Sequence, residues 1–562
     1  ESDGTLSGSA DINTAGSMTY SADLVASNLN LAHFMPRKGL GPFSGKIALK
    51  GNGTDIYSPR TRVDANVAIT TFAYGGYDLS GMGGTVRLSN GHGIADINSN
   101  NRLIKGNITL DALLGKREMK ATLGADLSHI DFHGLKLADT PLSAAFCTHL
   151  DVATDMNQSY LLKGTISDLV VHEGESGYFP DNINIDLLMR RDTTHIIASN
   201  GDFNIEMDAR GGHKVLLRQM DSIMTQLKKD FDNKVIDQSA LRAKLPTARI
   251  KLDSGSDNFL EHMLRRFGYS FAAAKMNLTS SPQSGLNGNM EIHKLLADSI
   301  QLDTVRLKVY SDAERFKFDG QVRNNRKNPQ YVFNAFIEGQ IVEKGLALNF
   351  RSYDYRDVLG VKLGATAEME QGGIRMRMLT DNPVIGYKDF TINDDNYIFV
   401  GNDKRLSARL RMRSSDGVDV QLKSEDDNDD VLQDLTFSIS KLKIEDIVAV
   451  IPYMPRMSGT IDGDFHFIQT ASDISVSSTM SVKEMTYEGS SMGNLGAEFV
   501  YMPKDGGSHY VDGIIYSGEE EVATVTGTYR SEGNGYLDAT MSMEKMPMSV
   551  LNGMIPDKLV GF

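Results

Sequence analysis

The chain alternates apolar and polar residues over most of its length, most clearly from residue 404 to 423. Every second residue from Leu406 to Met412 is apolar, and the residues between them are serine or arginine. Residues 414–417 (Ser-Ser-Asp-Gly) are typical of a turn, and apolar residues alternate again from Val418 to Leu422. Because strand side chains point to opposite faces with a period of two, this pattern predicts a β-hairpin with one apolar and one charged face.

Similar short strands fill the first 210 residues and return after about residue 285. Pairs such as Ile47 with Leu49 and Val67 with Ile69 alternate with polar residues. Turn residues interrupt the pattern at roughly 8- to 15-residue intervals, which is typical of antiparallel meanders. The sequence therefore predicts a mainly all-β chain.

Residues 213–267 differ, because their apolar residues recur at helical spacing. The apolar stripe of a first helix consists of Leu216, Met220, Ile223, Leu227 and Phe231. A break at Pro246 follows, and Asn258 with Glu261 then resembles a capping box that starts a second helix, which Gly268 ends. These helices would cover an edge or end of the sheet, or form a lid over a binding groove.

Part of the sequence is repeated at a constant offset of 413 positions. The matched residues are Ser27, Leu29, Leu31 and Phe34 with Ser440, Leu442, Ile444 and Ile447, and Tyr74 and Gly76 with Tyr487 and Gly489. A third copy, from Met546 to Pro556, follows the second by 104 positions. Each copy predicts a strand, a short apolar turn ended by proline, and a glycine that opens the next strand.

A long series of one-sided strands must remove its apolar face from water, and two arrangements achieve this. Stacked β-sandwiches would seal the apolar faces against each other. Alternatively, a long antiparallel repetitive sheet would curl into an elongated groove, a β-taco, with the charged rows outside. The lack of Pro- and Ser-rich linkers, the 27 methionines and the absence of tryptophan favour the groove.

The same patterns suggest a division of the chain into four segments. We predict a first β-groove segment (1–210), a helical insertion (211–270), a second β-groove segment (271–440) and a repeat-related β segment (441–562) that the end of the chain cuts short. Because the chain begins with glutamate rather than methionine, we expect it to be a fragment of a longer protein.

Composition and motifs argue against several functions. The net charge of -15 does not favour nucleic-acid binding, and the single cysteine, Cys147, cannot form an intrachain disulfide or a cysteine zinc cluster. Nucleophile-elbow, zinc-protease, P-loop and dinucleotide motifs are missing from the sequence. His129 and His133 would lie about 13 Å apart on a strand, too far for a shared metal. We predict no enzyme activity, no cofactor and no metal site.

The strand–turn–proline–glycine unit, the one-sided hairpins and residues 390–397 (Phe-Thr-Ile-Asn-Asp-Asp-Asn-Tyr) resemble the TamB family of AsmA-like repeating β-groove proteins. The resemblance covers the whole chain. It implies a periplasmic bridge, anchored in the inner membrane through a helix outside this fragment, that carries phospholipid along a hydrophobic groove. It also implies an outer-membrane barrel of the TamA or BamA kind as a partner, and a link to outer-membrane protein assembly.

Our hypothesis is a lipid conduit in which acyl chains lie against the inward apolar rows. The candidate lining residues are Leu346, Leu348, Phe350, Ile374, Met376, Met378, Leu406, Leu410, Met412, Val418, Val420 and Leu422. The alternatives are a structural or adhesive β-sandwich array with sealed cores, and an accessory factor for outer-membrane protein assembly that conducts no lipid. A polysaccharide-binding or polysaccharide-cleaving β-solenoid would require exposed aromatic platforms.

Overall fold

The computed structural model describes residues 4–14, 18–34, 39–312, 315–379, 381–425, 431–504, 508–530 and 535–544. Strands make up 66% of the structure and helices 8%, and 36 of the described strands belong to one long antiparallel sheet. The predicted all-β class with a short helical insertion is confirmed. The described residues form two compact units, residues 1–222 with 244–282 and residues 223–243 with 283–562. The predicted division into four segments stays a prediction.

The elements up to residue 210 are strands with one short helix. They are β1 Thr5–Asn13, β2 Thr19–Asn30, α1 Leu31–Phe34, β3 Pro42–Asn52, β4 Arg62–Thr71, β5 Ala73–Tyr74, β6 Tyr77–Asp78, β7 Met82–Ser89, β8 His92–Asn100, β9 Ile104–Leu114, β10 Met119–Asp131, β11 Leu142–Thr154, β12 Tyr160–Glu173, β13 Ser176–Tyr178, β14 Ile183–Met189, β15 Thr193–Asn200 and β16 Phe203–Arg210. The β5–β6 hairpin is separate from the long sheet.

The helical insertion and the strands that follow it complete the first unit and begin the second. These elements are α2 His213–Asn233, α3 Gln238–Ala243, β17 Ala248–Ser254, α4 Phe259–Arg265, β18 Tyr269–Ser270, β19 Ala273–Ser281, β20 Gly285–Ala297, β21 Ile300–Ser311, β22 Phe316–Asn324, β23 Phe333–Val342, β24 Gly345–Tyr353 and β25 Leu359–Glu370.

The rest of the second unit is again almost entirely strand. Its elements are β26 Gly373–Met378, β27 Val384–Ile385, β28 Lys388–Ile392, β29 Tyr397–Gly401, β30 Leu406–Ser414, β31 Asp419–Ser424, β32 Val431–Lys443, α5 Ile444–Val448, β33 Met457–Thr470, β34 Ile474–Tyr487, β35 Ser490–Lys504, β36 Ser508–Ser517, β37 Glu520–Arg530 and β38 Tyr536–Met543. The described helices include none that is long and apolar enough to cross a membrane.

The predicted helices α2 and α4 are present, whereas α3 was not foreseen. Asn258 caps α4 as expected, because its side chain accepts a hydrogen bond from the backbone N–H of Glu261 at 2.9 Å. The extended piece after Pro246 is strand β17. The third copy of the sequence repeat, from Met546 onward, lies outside the described residues.

One face of the sheet in the first unit is apolar. Paired residues of neighbouring antiparallel strands point to the same side. The register places in one row the residues Leu24, Ile47, Val67, Gly84, Ile97, Ile108, Ala125, Thr148, Ile166 and Ile183. Within β4, Val67 and Ile69 are half-buried, whereas Asp64 and Asn66 on the other face are exposed. The predicted alternation is therefore present strand after strand.

The repeated sequence segments have the same local structure in both units. Asn28 in β2 and Lys441 in β32, 413 positions apart, both adopt left-handed backbone conformations with φ of 51° and 57°. Each lies in a β-bulge that shifts the strand register, and each strand runs directly into a short helix, α1 or α5. Bulges bend strands and increase their twist, so the repeat encodes a bend near one strand end.

In the second unit, the connector 444–456 between β32 and β33 contacts strands that are far away in the sheet order. The Tyr453 hydroxyl donates to the carbonyl oxygen of Gln301 at 3.1 Å and accepts from the Asn324 side-chain amide at 2.9 Å. The Tyr331 hydroxyl donates to the carbonyl of Ala449 at 2.8 Å. We call Gln301, Asn324, Tyr331 and Tyr453 the clasp.

The clasp requires the sheet of the second unit to curl. Asn324 ends β22, and eight strand-to-strand steps separate β22 from β32. At about 4.8 Å per step, a flat sheet would hold these strands roughly 38 Å apart. A short connector bridges that separation only if the strand ends converge. Several of the most buried apolar residues of the unit lie at this same edge, which we call the closed edge: Phe333, Val361, Val384, Phe390 and Ile392.

Candidate functional site

The candidate site is the apolar face of the second unit, and the strand register assembles it. Ile337 of β23 lies opposite Phe350 of β24, which lies opposite Leu363 of β25. Ala367 lies between Leu346 and Met376 in the same way. Because register partners share a face, the sequence candidates of β24 and β26 lie on one surface.

The hairpin that dominates the sequence pattern continues this face. Leu410 pairs with Leu422, and Met412 pairs with Val420, as the alternation predicted. A tight turn joins the two strands, in which the Ser414 N–H donates to the Val418 carbonyl, the Val418 N–H donates to the Ser414 hydroxyl oxygen, and Gly417 adopts a φ of 93°. The predicted hairpin is therefore present in the predicted register.

Beyond the hairpin, an aromatic row extends the face across four further strands. Leu422 lies opposite Phe437, Phe437 opposite Phe465, and Ser478 separates Phe465 from Phe499. None of these three phenylalanines was among the sequence candidates, although Phe465 alternates with Asp464 and His466 and carries the same signal. We call Phe437, Phe465 and Phe499 the phenylalanine row.

The exposure of these side chains distinguishes an open face from a sealed one. Phe437 and Phe465 each leave 37% of their surface exposed, Phe499 leaves 39% and Phe350 leaves 37%. In a β-sandwich, facing sheets interdigitate and fully bury such residues. The described residues therefore provide no second layer that covers the phenylalanine row.

The twelve sequence candidates occupy three environments. Nine are half-buried: Leu346, Leu348, Met376, Met378, Leu406, Leu410, Met412, Val420 and Leu422. Phe350 and Ile374 are exposed on the apolar face. Val418 is the exception, because only 2% of its surface is accessible. The turn before β31 holds it at the closed edge, beside the strand end where Phe390 is buried, so it does not line the open surface.

The opposite face of the same hairpin carries paired charges. The Arg411 guanidinium lies 2.5 Å from the Asp419 carboxylate, and Arg413 lies 3.1 Å from the same carboxylate. Hydrogen bonds from Arg411 lower the pKa of Asp419 below its usual value. Cross-strand ion pairs thus offset part of the charge on this face.

Titratable groups gather at the closed edge, where they hold structure together. Asp354 accepts hydrogen bonds from the Arg356 backbone and side chain, at 2.8 and 3.0 Å, and lies 3.3 Å from the Tyr387 hydroxyl. Burial and the neighbouring Asp354 carboxylate raise the pKa of Tyr387 to about 12. Because these donors already satisfy the Asp354 carboxylate, we interpret the group as a hydrogen-bond network that holds the strand ends together.

Metal-ligating side chains do not converge in the described part of the chain: no group of three histidine, cysteine or carboxylate residues could hold an ion. His133 instead hydrogen bonds through Nδ1 to the Ala138 carbonyl at 3.1 Å. The single cysteine, Cys147, lies 3.6 Å from Asp126, and burial followed by that carboxylate raises the pKa of its thiol. A raised pKa makes a thiol less nucleophilic at neutral pH.

Comparison with known proteins finds no match: no family model, curated protein or solved structure is significantly similar to this chain.

Proposed function

We propose that this chain binds the acyl chains of phospholipids along its apolar face and conducts them between membranes. The observation that carries the proposal is the phenylalanine row, in which Phe437 and Phe465 lie on neighbouring strands, Phe499 follows beyond Ser478, and all three stay more than a third exposed. An exposed, largely apolar surface of this kind is complementary to a flexible hydrocarbon chain.

The energetics require no specific recognition group. Each methylene that leaves water contributes about 0.8 kcal/mol, so several methylenes in contact with the face suffice for binding. Methionines such as Met376, Met412 and Met480 on the same face adapt their shape to different chains. The proposal therefore involves no catalytic step and no cofactor.

The resemblance to the TamB family supports the cellular setting that we propose. In this setting the chain lies in the periplasm, bridges the inner and outer membranes, and works with an outer-membrane barrel of the TamA or BamA kind. The exposure of Phe465 argues against the structural alternative of sealed β-sandwiches. A role in outer-membrane protein assembly without lipid conduction remains the second proposal, and it predicts a protein free of bound lipid.

Lipid extraction followed by mass spectrometry tests the proposal. The purified chain should carry phospholipid, and Phe465→Lys with Phe499→Lys should remove most of it, because two charges interrupt the row. The matched control is Ser477→Lys with Thr479→Lys, which places two lysines on the other face of the neighbouring strand β34. Lipid-free wild-type protein, or equal loss in both double variants, would overturn the proposal.

A further inference from the structure

The second half of α2 buries two polar residues and leaves two large apolar residues exposed. Within residues 223–243, which belong to the second unit, Gln226 and Asp230 are only 8% and 4% exposed. Met224 and Phe231, by contrast, are 62% and 56% exposed. Ile223 and Leu227 are half-buried on the same side as Gln226 and Asp230, so the inner side is mixed, and part of the apolar surface of the helix stays in water.

Polar contacts fix this orientation. The Gln226 side chain donates to the Asp230 carboxylate at 2.7 Å, and the same carboxylate accepts from the backbone of Asp237 at 3.1 Å. The helix ends with Lys234 in the left-handed region, at a φ of 59°, and the Val235 N–H donates to the Asp230 carbonyl. The buried carboxylate thus holds both the helix and the segment that follows it.

The segment after α2 is anchored to strand ends of the same unit. The Gln238 side chain accepts from the Phe316 N–H at 2.8 Å and donates to the Ile341 carbonyl at 3.0 Å. The Ile236 N–H donates to the Glu343 carbonyl at 2.7 Å. These anchors fix the segment that follows the helix to the strand ends.

The outward residues form one stripe with a basic flank. Met224, Lys228 and Phe231 are spaced four and three residues apart, so they lie on one side of the helix. Lys229 is also exposed. Residues 223–243 contain four basic side chains (Lys228, Lys229, Lys234 and Arg242) and three acidic ones, of which Asp230 is buried. The segment is therefore locally positive in a chain whose net charge is -15.

We propose that this stripe, Met224, Lys228 and Phe231, docks on the surface of a bilayer that contains anionic phospholipid. Phenylalanine and methionine enter the boundary between headgroups and acyl chains, while the lysines remain among the headgroups. Anionic lipid attracts basic residues near its surface, whereas a second copy of this acidic chain would be repelled. The proposal goes beyond lipid conduction, because it concerns a contact with the membrane that the apolar face does not make.

The absence of tryptophan from the chain allows a direct test. In Phe231→Trp, the emission of the only tryptophan should shift to shorter wavelength when vesicles of phosphatidylglycerol and phosphatidylethanolamine are added. The matched control is Thr479→Trp, at an exposed position of β34, whose emission should not shift. Met224→Trp reports the same stripe if the first variant does not fold by circular dichroism.

Three further measurements identify the cause of the emission shift. Lys228→Gln with Lys229→Gln in the Phe231→Trp background should weaken vesicle binding about fivefold per lysine, and phosphatidylcholine vesicles should bind more weakly. The shift should persist in the Phe465→Lys, Phe499→Lys background, so loss of lipid conduction and loss of membrane docking are separable. No shift, an equal shift at position 479, or a shift that depends on protein concentration without vesicles would overturn the proposal.

Discussion

Phe437 of β32 and Phe465 of β33 lie directly opposite each other, and each leaves 37% of its surface exposed. The two side chains are register partners on the apolar face, and no layer of described residues lies above them. The apolar face is thus patterned like a core face but remains accessible. This combination separates a binding surface from a folding core.

Core and open-face phenylalanines should differ in their contribution to stability. Phe333→Ala removes an 8% exposed side chain at the closed edge and should lower the free energy of unfolding by about 3–5 kcal/mol. Phe465→Ala should cost only about 1 kcal/mol, because its ring is already partly in water and no closed cavity forms. Urea unfolding of both variants measures the difference. Similar losses would mean that the phenylalanine row is sealed in solution.

The clasp should be a measurable source of stability. Tyr453→Phe removes the hydroxyl that accepts from Asn324, which is only 2% exposed, and leaves part of that buried amide without a partner. We expect a loss of about 1–2 kcal/mol in the free energy of unfolding. Tyr510→Phe is the control, because Tyr510 is 37% exposed, and it should change stability by less than about 0.5 kcal/mol. An unchanged Tyr453→Phe protein would show that the curl does not depend on the clasp.

Lys388 should make stability depend on pH in the acid range. Its ammonium lies 2.5 Å from Asp416 and 2.7 Å from Asp446, and its hydrogen bond lowers the pKa of Asp416 to about 2. Because the folded pKa is below the unfolded value of about 4, Asp416 stabilises the fold above pH 4, and this contribution is lost as the pH falls from about 4 towards 2.

The variant Lys388→Gln isolates this effect. It should be less stable than the wild type at pH 7, by a modest amount because Asp416 is 45% exposed and solvent screens the pair. The difference between the two proteins should shrink between pH 4 and pH 2 in urea unfolding at each pH. A difference that stays constant across this range would contradict the ion-pair interpretation.

The bulge at Lys441 should tolerate glycine but not a β-branched residue. Its φ of 57° is in the left-handed region, which is costly for residues with a Cβ and most costly for branched ones. Lys441→Val should lower the free energy of unfolding by about 1–2 kcal/mol, and with it the melting temperature. Lys441→Gly should be neutral or stabilising. Lys443→Val, at an ordinary φ of -81°, is the control. Equal effects of the two valine variants would contradict the bulge argument.

The hairpin shows what the sequence could predict. Alternation with a period of two decides which side chains share a face, so Leu410 and Leu422 were expected on one face, where they pair. The repeat offset likewise matched segments of the same local structure, although the bulges at Asn28 and Lys441 were not predicted. Val418 fits the same alternation, but alternation does not show how deeply a side chain at a strand end is buried. Val418 is buried at the closed edge.

Long-range contacts account for what the sequence could not predict. Asn324 and Tyr453 are 129 positions apart, and neither residue type signals a contact by itself. The apolar stripe of α2 predicted a helix that covers an edge or end of the sheet or forms a lid. Leu216, Ile223 and Leu227 are half-buried, but Met220 and Phe231 are 51% and 56% exposed. Helical periodicity alone cannot show that the helix also buries polar residues such as Asp230 and leaves part of its apolar stripe in water.

A photo-crosslinking amino acid at position 465, compared with the same group at position 464, tests most directly whether the apolar face is the lipid-binding surface. The two positions are neighbours on β33 and both are exposed, but they point to opposite faces. An open, lipid-binding face predicts phospholipid adducts at position 465 and none at position 464. Equal labelling at both positions, or no lipid adduct at position 465, would contradict it.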